Sequence, residues 1–196
     1  IGLQALMKRA EVDTEKVLTN YHIGFVLGPR LNAAGRVDDA AKALQLLIEQ
    51  DASAASELAD LIEVANDERR AEQNRIVQEA IDMVEQTEAY KRWVLVVAKE
   101  GWHSGVVGIV ASRLVEQYYR PSFVMNLDPL TGIVKGSARS IAGFHLANSI
   151  RSRSDLFLSG GGHAAAAGCS FHYDRMEEVI DALDGFARET LTEEDL

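Results

Sequence analysis

Between about Ala52 and Tyr90 the chain has no glycine and no proline, while Leu58, Leu61, Ile62, Ala65, Ile76, Ala80, Ile81 and Val84 recur at three- and four-residue steps. That period predicts one long helix, which at 1.5 Å per residue runs roughly 50–60 Å. Its middle, Asn66 to Arg75, is polar on all sides. A helix that is apolar at both ends and wet at its centre serves two cores rather than one. The expected organisation is therefore a helical segment at 1–51, a connecting helix at 52–90 and a second domain at 91–196. A helix lying along a single domain would need an apolar stripe through that middle.

On the N-terminal side, 3–19 and 40–50 read as short helices, the second with an apolar face of Leu44, Leu47 and Ile48. Between them, Gly28-Pro29 and Gly35 punctuate a stretch that holds Arg30, Asn32 and Arg36. Glycine and proline there predict turns, offering these three side chains from irregular backbone. Two guanidiniums and a carboxamide suit a phosphodiester, as forks for charged oxygens and an amide to orient them. An internal role stands beside that one, with Arg30 or Arg36 paired to Asp38 or Asp39 at a helix cap.

Beyond Trp93 the composition changes. Trp93 to Ala98 is a near-continuous apolar run, as in a strand buried on both faces. A glycine turn and a helix follow, with Ser104 as the expected N-cap. Gly105, Gly108 and Ala111 would let the helix sit close on the sheet, its N-terminal amides towards a cleft. The spacing of Gly101, Gly105 and Gly108 is not the dinucleotide fingerprint, and no Walker sequence occurs. Pro121–Leu127 and Gly132–Arg139 read as a hairpin around Asp128-Pro129, with Lys135, Ser137 and Arg139 on one face. A helix over 144–157, a strand near Gly168–Phe171 and an amphipathic helix over 174–191 complete an α/β fold with a mixed sheet.

Ser159-Gly160-Gly161-Gly162-His163 followed by four alanines lies inside that second domain. Three glycines strip a turn of Cβ atoms, so that backbone N–H groups can close on an anion, and His163 adds a donor at the rim. A flexible loop leading into a small-residue strand is the plainer reading. Charge weighs on the choice. The net charge is −10, yet residues 89–173 hold nine Lys/Arg against four Asp/Glu, and no acid lies between Asp128 and Asp155, where Lys135, Arg139, Arg151 and Arg153 sit. The glycine stretch thus belongs to the one basic part of an acidic chain, a footprint suited to a polyanion.

Other chemistries lack their residues. The five histidines are scattered without metal-ligand spacing. Ser104, His163 and Asp155 could be drawn as a hydrolase triad, but Ser104 has no nucleophile elbow. One cysteine, Cys169, cannot form an internal disulfide, and no run is long and apolar enough for a membrane span. A reducing, cytoplasmic setting is expected.

Taken in order, Gly28–Arg36, Trp102–Arg113, Lys135–Ser140 and Gly161–Gly168 resemble the RecJ single-strand-specific exonucleases of the DHH phosphoesterase superfamily. The resemblance covers nearly the whole chain. It implies the tail of a DHH domain, a connecting helix and a DHH-associated domain. It implies 5′→3′ removal of nucleotides from single-stranded DNA in repair and recombination, with two Mn²⁺ or Mg²⁺ held by DHH motifs that this sequence does not contain. The chain opens on Ile1 in a helix already under way, so a piece of a longer protein is expected. Arg30, Asn32 and Arg36 would face the metal centre, with His103, Ser104, Arg139, Gly161, Gly162 and His163 around the terminal phosphate and sugar. A helicase and a single-strand-binding protein are the implied partners. A non-catalytic nucleic-acid-binding module and a phosphatase of short nucleotides remain the alternatives.

Overall fold

A computed structural model describes residues 1–13, 16–37 and 39–196, with only the backbone of Val37. Two compact units divide it, Ile1–Glu72 and Gln73–Leu196.

In the first unit, α1 (Gly2–Arg9) stops well short of the expected 3–19 helix. Glu11 takes the left-handed conformation at φ 54°, and Val12 N–H turns back to the Met7 carbonyl at 2.9 Å. Residues 14 and 15 of the expected helix, and the candidate partner Asp38, lie outside the described residues. The stretch around Gly28-Pro29 is helix, not turns: a π-helical segment, His22–Leu27, runs into α2 (Gly28–Val37). Pro29 falls where the π-helical turn passes into α2, and the wider bonding there, with Gly28 N–H on the Ile23 carbonyl, accommodates its missing donor. Burial of Ala33 and Ala34 at 0% exposure offsets the cost of Gly35.

Helix α3 (Ala40–Ile48) is N-capped by Asp39, whose carboxylate accepts from Ala41 N–H at 2.9 Å. Its apolar face is on the outside. Leu46 is fully buried, with Leu6, Leu27 and Ile62, whereas Leu44, Leu47 and Ile48 are 50–63% exposed. Helix α4 (Ala52–Gln86) matches the long helix in type, but its middle is not wet throughout, since Asn66 is 2% exposed.

The second unit begins inside α4 and builds a five-stranded sheet in the order β1-β2-β3-β5-β4. Strand β1 (Leu95–Glu100) crosses over through α5 (Val107–Tyr118) to a parallel β2 (Ser122–Asp128). The hairpin to β3 (Ile133–Arg139) closes where Asp128 accepts from Leu130 N–H and the Thr131 hydroxyl. After α6 (Leu146–Ser152), β4 (Ser159–Gly162) and β5 (Ala166–His172) pair antiparallel, and α7 (Met176–Thr190) ends the fold. Val96, Phe123, Met125, Val134 and Phe171 pack with residues of α6 and α7 in one core. Strand alternation sends Val97, Val124, Ser137 and Gly168 to the opposite face, where α5 lies over β2 and β3.

Candidate nucleic-acid interface

The α5 side of the sheet is the place where separated sequence blocks meet. Register aligns Val124, Ser137, Gly168 and Gly161 in one cross-strand row, and Ser122, Arg139 and Ala166 in the next. His163 extends the second row, because its N–H donates to the Ala166 carbonyl at 2.8 Å. Lys135 falls one row further, so β3 carries Lys135, Ser137 and Arg139 on one face as its alternation predicts. Helix α5 meets this face through Gly108. A Cβ there would lie 3.1 Å from an Arg139 terminal nitrogen and 3.4 Å from the Ser137 Cβ. Gly108 therefore gives the partly buried Arg139 guanidinium its room; Arg139 also donates to the Ala138 carbonyl at 2.9 Å.

Past Ser137 the row loses its side chains. Gly168 and Gly161 are exposed, and nothing lies within 4 Å of where a Gly161 Cβ would be. The glycines were expected to form the turn itself. They form an edge strand instead, and the turn falls on His163 to Ala166. Two main-chain donors hold it from outside, Ser140 N–H on the Ala165 carbonyl and Leu146 N–H on the Ala164 carbonyl, each at 3.1 Å. Gly162 takes φ 145°, and a Cβ there would meet the Ala166 carbonyl oxygen at 2.5 Å. That position needs glycine for the backbone.

Ser104 does not cap α5. The N-cap is Val106, and His103 does the capping work from further out: its carbonyl accepts from Val106 and Val107 N–H, and its Nδ1 accepts from Gly105 N–H at 3.1 Å. An Nδ1 that accepts leaves Nε2 as the donor of the ring. Both His103 and Ser104 are exposed.

Sequence reasoning missed what holds this loop. The Trp102 indole, 1% exposed, donates from Nε1 to Glu79 Oε2 at 2.8 Å. Lys99 Nζ lies 3.1 Å from the same oxygen, and Arg75 donates to Oε1 at 2.8 Å and to the Gly101 carbonyl at 3.2 Å. The indole hydrogen bond, joined by Lys99 and Arg75, pulls the Glu79 carboxyl down to about 2. The signal was available as a glutamate on α4 one strand away from a tryptophan beside His103, but pairing them requires the tertiary fold.

In the first unit, Arg30 is engaged internally, with a partner other than Asp38 or Asp39. It donates from Nε and a terminal nitrogen to both Glu63 oxygens, at 2.6 and 3.1 Å, and to the Val26 carbonyl at 2.8 Å. With side chains 17% and 8% exposed, this is a nearly buried fork that ties α2 to α4. Asn32 and Arg36, one turn apart on α2, are exposed. The sequence also missed Arg69, from the polar middle of α4, whose pKa is lowered by burial and then by the charges of Arg70 and Arg36. Three guanidiniums thus raise the positive potential on this unit.

Among the described residues no group of three His, Cys, Asp or Glu side chains could hold a metal ion. The residues described do not fit a divalent-metal centre. What they can do is bind and orient an anion: guanidinium, imidazole and hydroxyl donors beside exposed main chain. Cys169 takes no part, since burial pushes its thiol up to about 12. No helix is long and apolar enough to cross a membrane among the described residues.

This chain is similar over its whole length to the single-stranded-DNA-specific exonuclease RecJ of Bacillus subtilis, at 43% identity over 195 residues, which is 25% of that protein. It is 40% identical over 186 residues to RecJ of Dickeya dadantii, covering 90% of this chain and 32% of the relative. The chain therefore spans about a quarter to a third of the length of these relatives. The crystal structure of Thermus thermophilus RecJ in complex with Mn²⁺ superposes with a TM-score of 0.84 at 29% identity, over 97% of this chain and 27% of that one. Residues 89–189 match the DHHA1 domain, and they carry the α5 face, the glycine edge strand and the His163 turn. The chain belongs to the DHHA1 domain family, and its relatives within it are RecJ proteins.

Proposed function

We propose that the α5 side of the β3–β5–β4 sheet holds the sugar–phosphate end of a single DNA strand, within a protein that hydrolyses phosphodiesters from a 5′ end. The observation that carries this reading is the sequence of surfaces across two adjacent rows: Arg139 and Ser137, packed under Gly108, lie beside a floor without side chains at Gly168 and Gly161. A guanidinium fork and a hydroxyl suit a terminal phosphate, and a bare floor lets a sugar approach main-chain groups. His163 and His103, exposed at the rim, would donate to neighbouring phosphates. Such contacts position a strand without reading its sequence.

The first unit contributes separately in this reading. Asn32 and Arg36 are the exposed phosphate-facing side chains of α2, and the Arg30–Glu63 fork holds the helix that carries them. The relatives crystallised with manganese supply a metal that these residues do not hold. The work of this chain is thus to seat the strand, and a helicase that frees a 5′ end or a protein that coats single strands is the partner it calls for, in the cytoplasm.

The test is the affinity of the intact protein for a 5′-phosphorylated oligothymidylate against its 5′-hydroxyl twin. A preference for the phosphate that Arg139→Ala removes supports the assignment, and equal affinities with an unaffected variant remove Arg139 from it. His163→Ala should slow turnover strongly with little loss of stability; near-normal turnover takes His163 out of the site.

A further inference from the structure

The opposite edge of the sheet is built for a different ligand. Leu95 N–H bonds to the Pro121 carbonyl at 2.8 Å, which fixes the odd residues of β1 as those that pair with β2. In a parallel ladder, alternate residues of a strand bond to the same neighbour. Val94, Val96 and Ala98 therefore turn their N–H and C=O groups away from β2, and no loop or side chain of the described residues bonds to them; Val94, just before β1, is closed over at 1% exposure, so Val96, at 8%, and Ala98 are the edge residues within reach. A groove of about 350 Å³ runs along these same three residues. One wall carries Met83 from the end of α4 and Thr87 just after it, the other Met176, Glu177 and Ile180 from α7. Unpaired main chain in the floor, between walls that each carry apolar side chains, calls for extended backbone as the occupant.

We propose that this groove takes an extended peptide segment of a partner protein, which adds beside β1 as a further strand. Because each wall carries apolar side chains, Met83 on one and Met176 and Ile180 on the other, the segment carries consecutive apolar side chains rather than an alternating pattern. Charge sets the rest. Arg92 at the rim is already paired with Asp181 at 2.9 Å, whereas Glu177 has no ion pair among the described residues, so a Lys or Arg of the segment meets Glu177. The same carboxylate and apolar walls make the groove unfit for a phosphate backbone. A second copy is disfavoured by shape, since its own β1 lies between identical helical walls and the walls would meet before the edges.

The probe is a synthetic decapeptide with five consecutive β-branched residues between Arg-Lys ends, set against a version N-methylated at alternate amides. On binding to the intact protein, amide exchange at Val96 and Ala98 should slow by about tenfold or more, while Leu95 and Val97, already bonded to β2, stay unchanged. N-methylation should abolish the effect. Thr87→Arg, at an exposed position, should block the groove with the melting temperature and DNA affinity intact, and Glu177→Lys should shift preference to a peptide with acidic ends. The proposal fails if the even amides of the free protein already exchange as slowly as the odd ones. It fails equally if the N-methylated peptide binds as well, or if the edge is buried by a dimer that the peptide does not displace. None of these outcomes bears on the phosphate site, whose variants are read by DNA affinity alone.

Discussion

The two edges of the sheet end in opposite ways. At β1 the last strand is Leu-Val-Val-Ala, with Leu95, Val96 and Val97 all under 9% exposed and helices rising on both sides. At β4 the last strand is Ser-Gly-Gly-Gly, every residue exposed, followed by a turn that carries His163. One edge offers unpaired backbone inside an apolar slot; the other offers it beside arginine and lysine in the open. The same main-chain groups acquire different ligands because their surroundings differ in dielectric and charge. The difference explains how an acidic chain can present a surface for a polyanion: Lys135 and Arg139 of β3 lie in a stretch without acids between Asp128 and Asp155, while nine acids fall in residues 174–196, which include α7 beside the other edge.

That contrast can be broken most severely at Gly162. Gly162→Ala places a Cβ against the Ala166 carbonyl in a left-handed backbone, and a loss of about 2–4 kcal/mol is expected. Urea unfolding measures it, and a neutral result would mean the β4 edge does not depend on its glycine turn. Next, Arg139→Ala should weaken single-strand binding by about 2 kcal/mol, roughly 30-fold, and lower the salt slope by about one, with β1-edge variants unaffected. A binding titration at several salt concentrations decides it.

Glu79→Ala leaves the Trp102 indole N–H buried without its acceptor, at a cost of about 1–3 kcal/mol. Its pH dependence has a definite sign. The folded carboxyl sits at about 2 against an ordinary glutamate value of about 4.5, so its contribution is present above about 4.5 and is lost as pH falls towards 2. Denaturation of Glu79→Gln and wild type should therefore differ near neutrality and converge on acidification; a gap that stays constant would detach the effect from ionisation. The smallest effect belongs to Gly161→Ala, whose Cβ enters open space. Stability should move by less than about 0.5 kcal/mol, while single-strand affinity falls a few-fold if the bare floor is used. Unchanged affinity would take the floor out of the binding surface.

Much of this was legible along the chain because it rests on local period. The long helix, the buried strand, the hairpin at Asp128 and the common face of Lys135, Ser137 and Arg139 follow from spacing alone. What misled was punctuation. Gly28-Pro29 and Gly35 read as turns but lie in α2, because burial of Ala33 and Ala34 outweighs a propensity cost of about 1 kcal/mol. The three glycines read as a turn but pair as a strand, because β5 supplies a ladder and Ser140 and Leu146 clamp the true turn one step later. Leu44, Leu47 and Ile48 show the reverse case, since a stripe gives a helix its apolar side without saying which neighbour will cover it.

The order of residues determined which chemistry is available: guanidiniums, a bare glycine run and imidazoles gathered in one basic stretch. Partners were settled in three dimensions. Arg30 went to Glu63, Glu79 to Trp102 and Gly108 to Arg139, pairs separated by 33, 23 and 31 positions. Spacing within a helix or strand fixes a face through bond geometry, whereas these contacts depend on which elements the chain brings together when it buries its core.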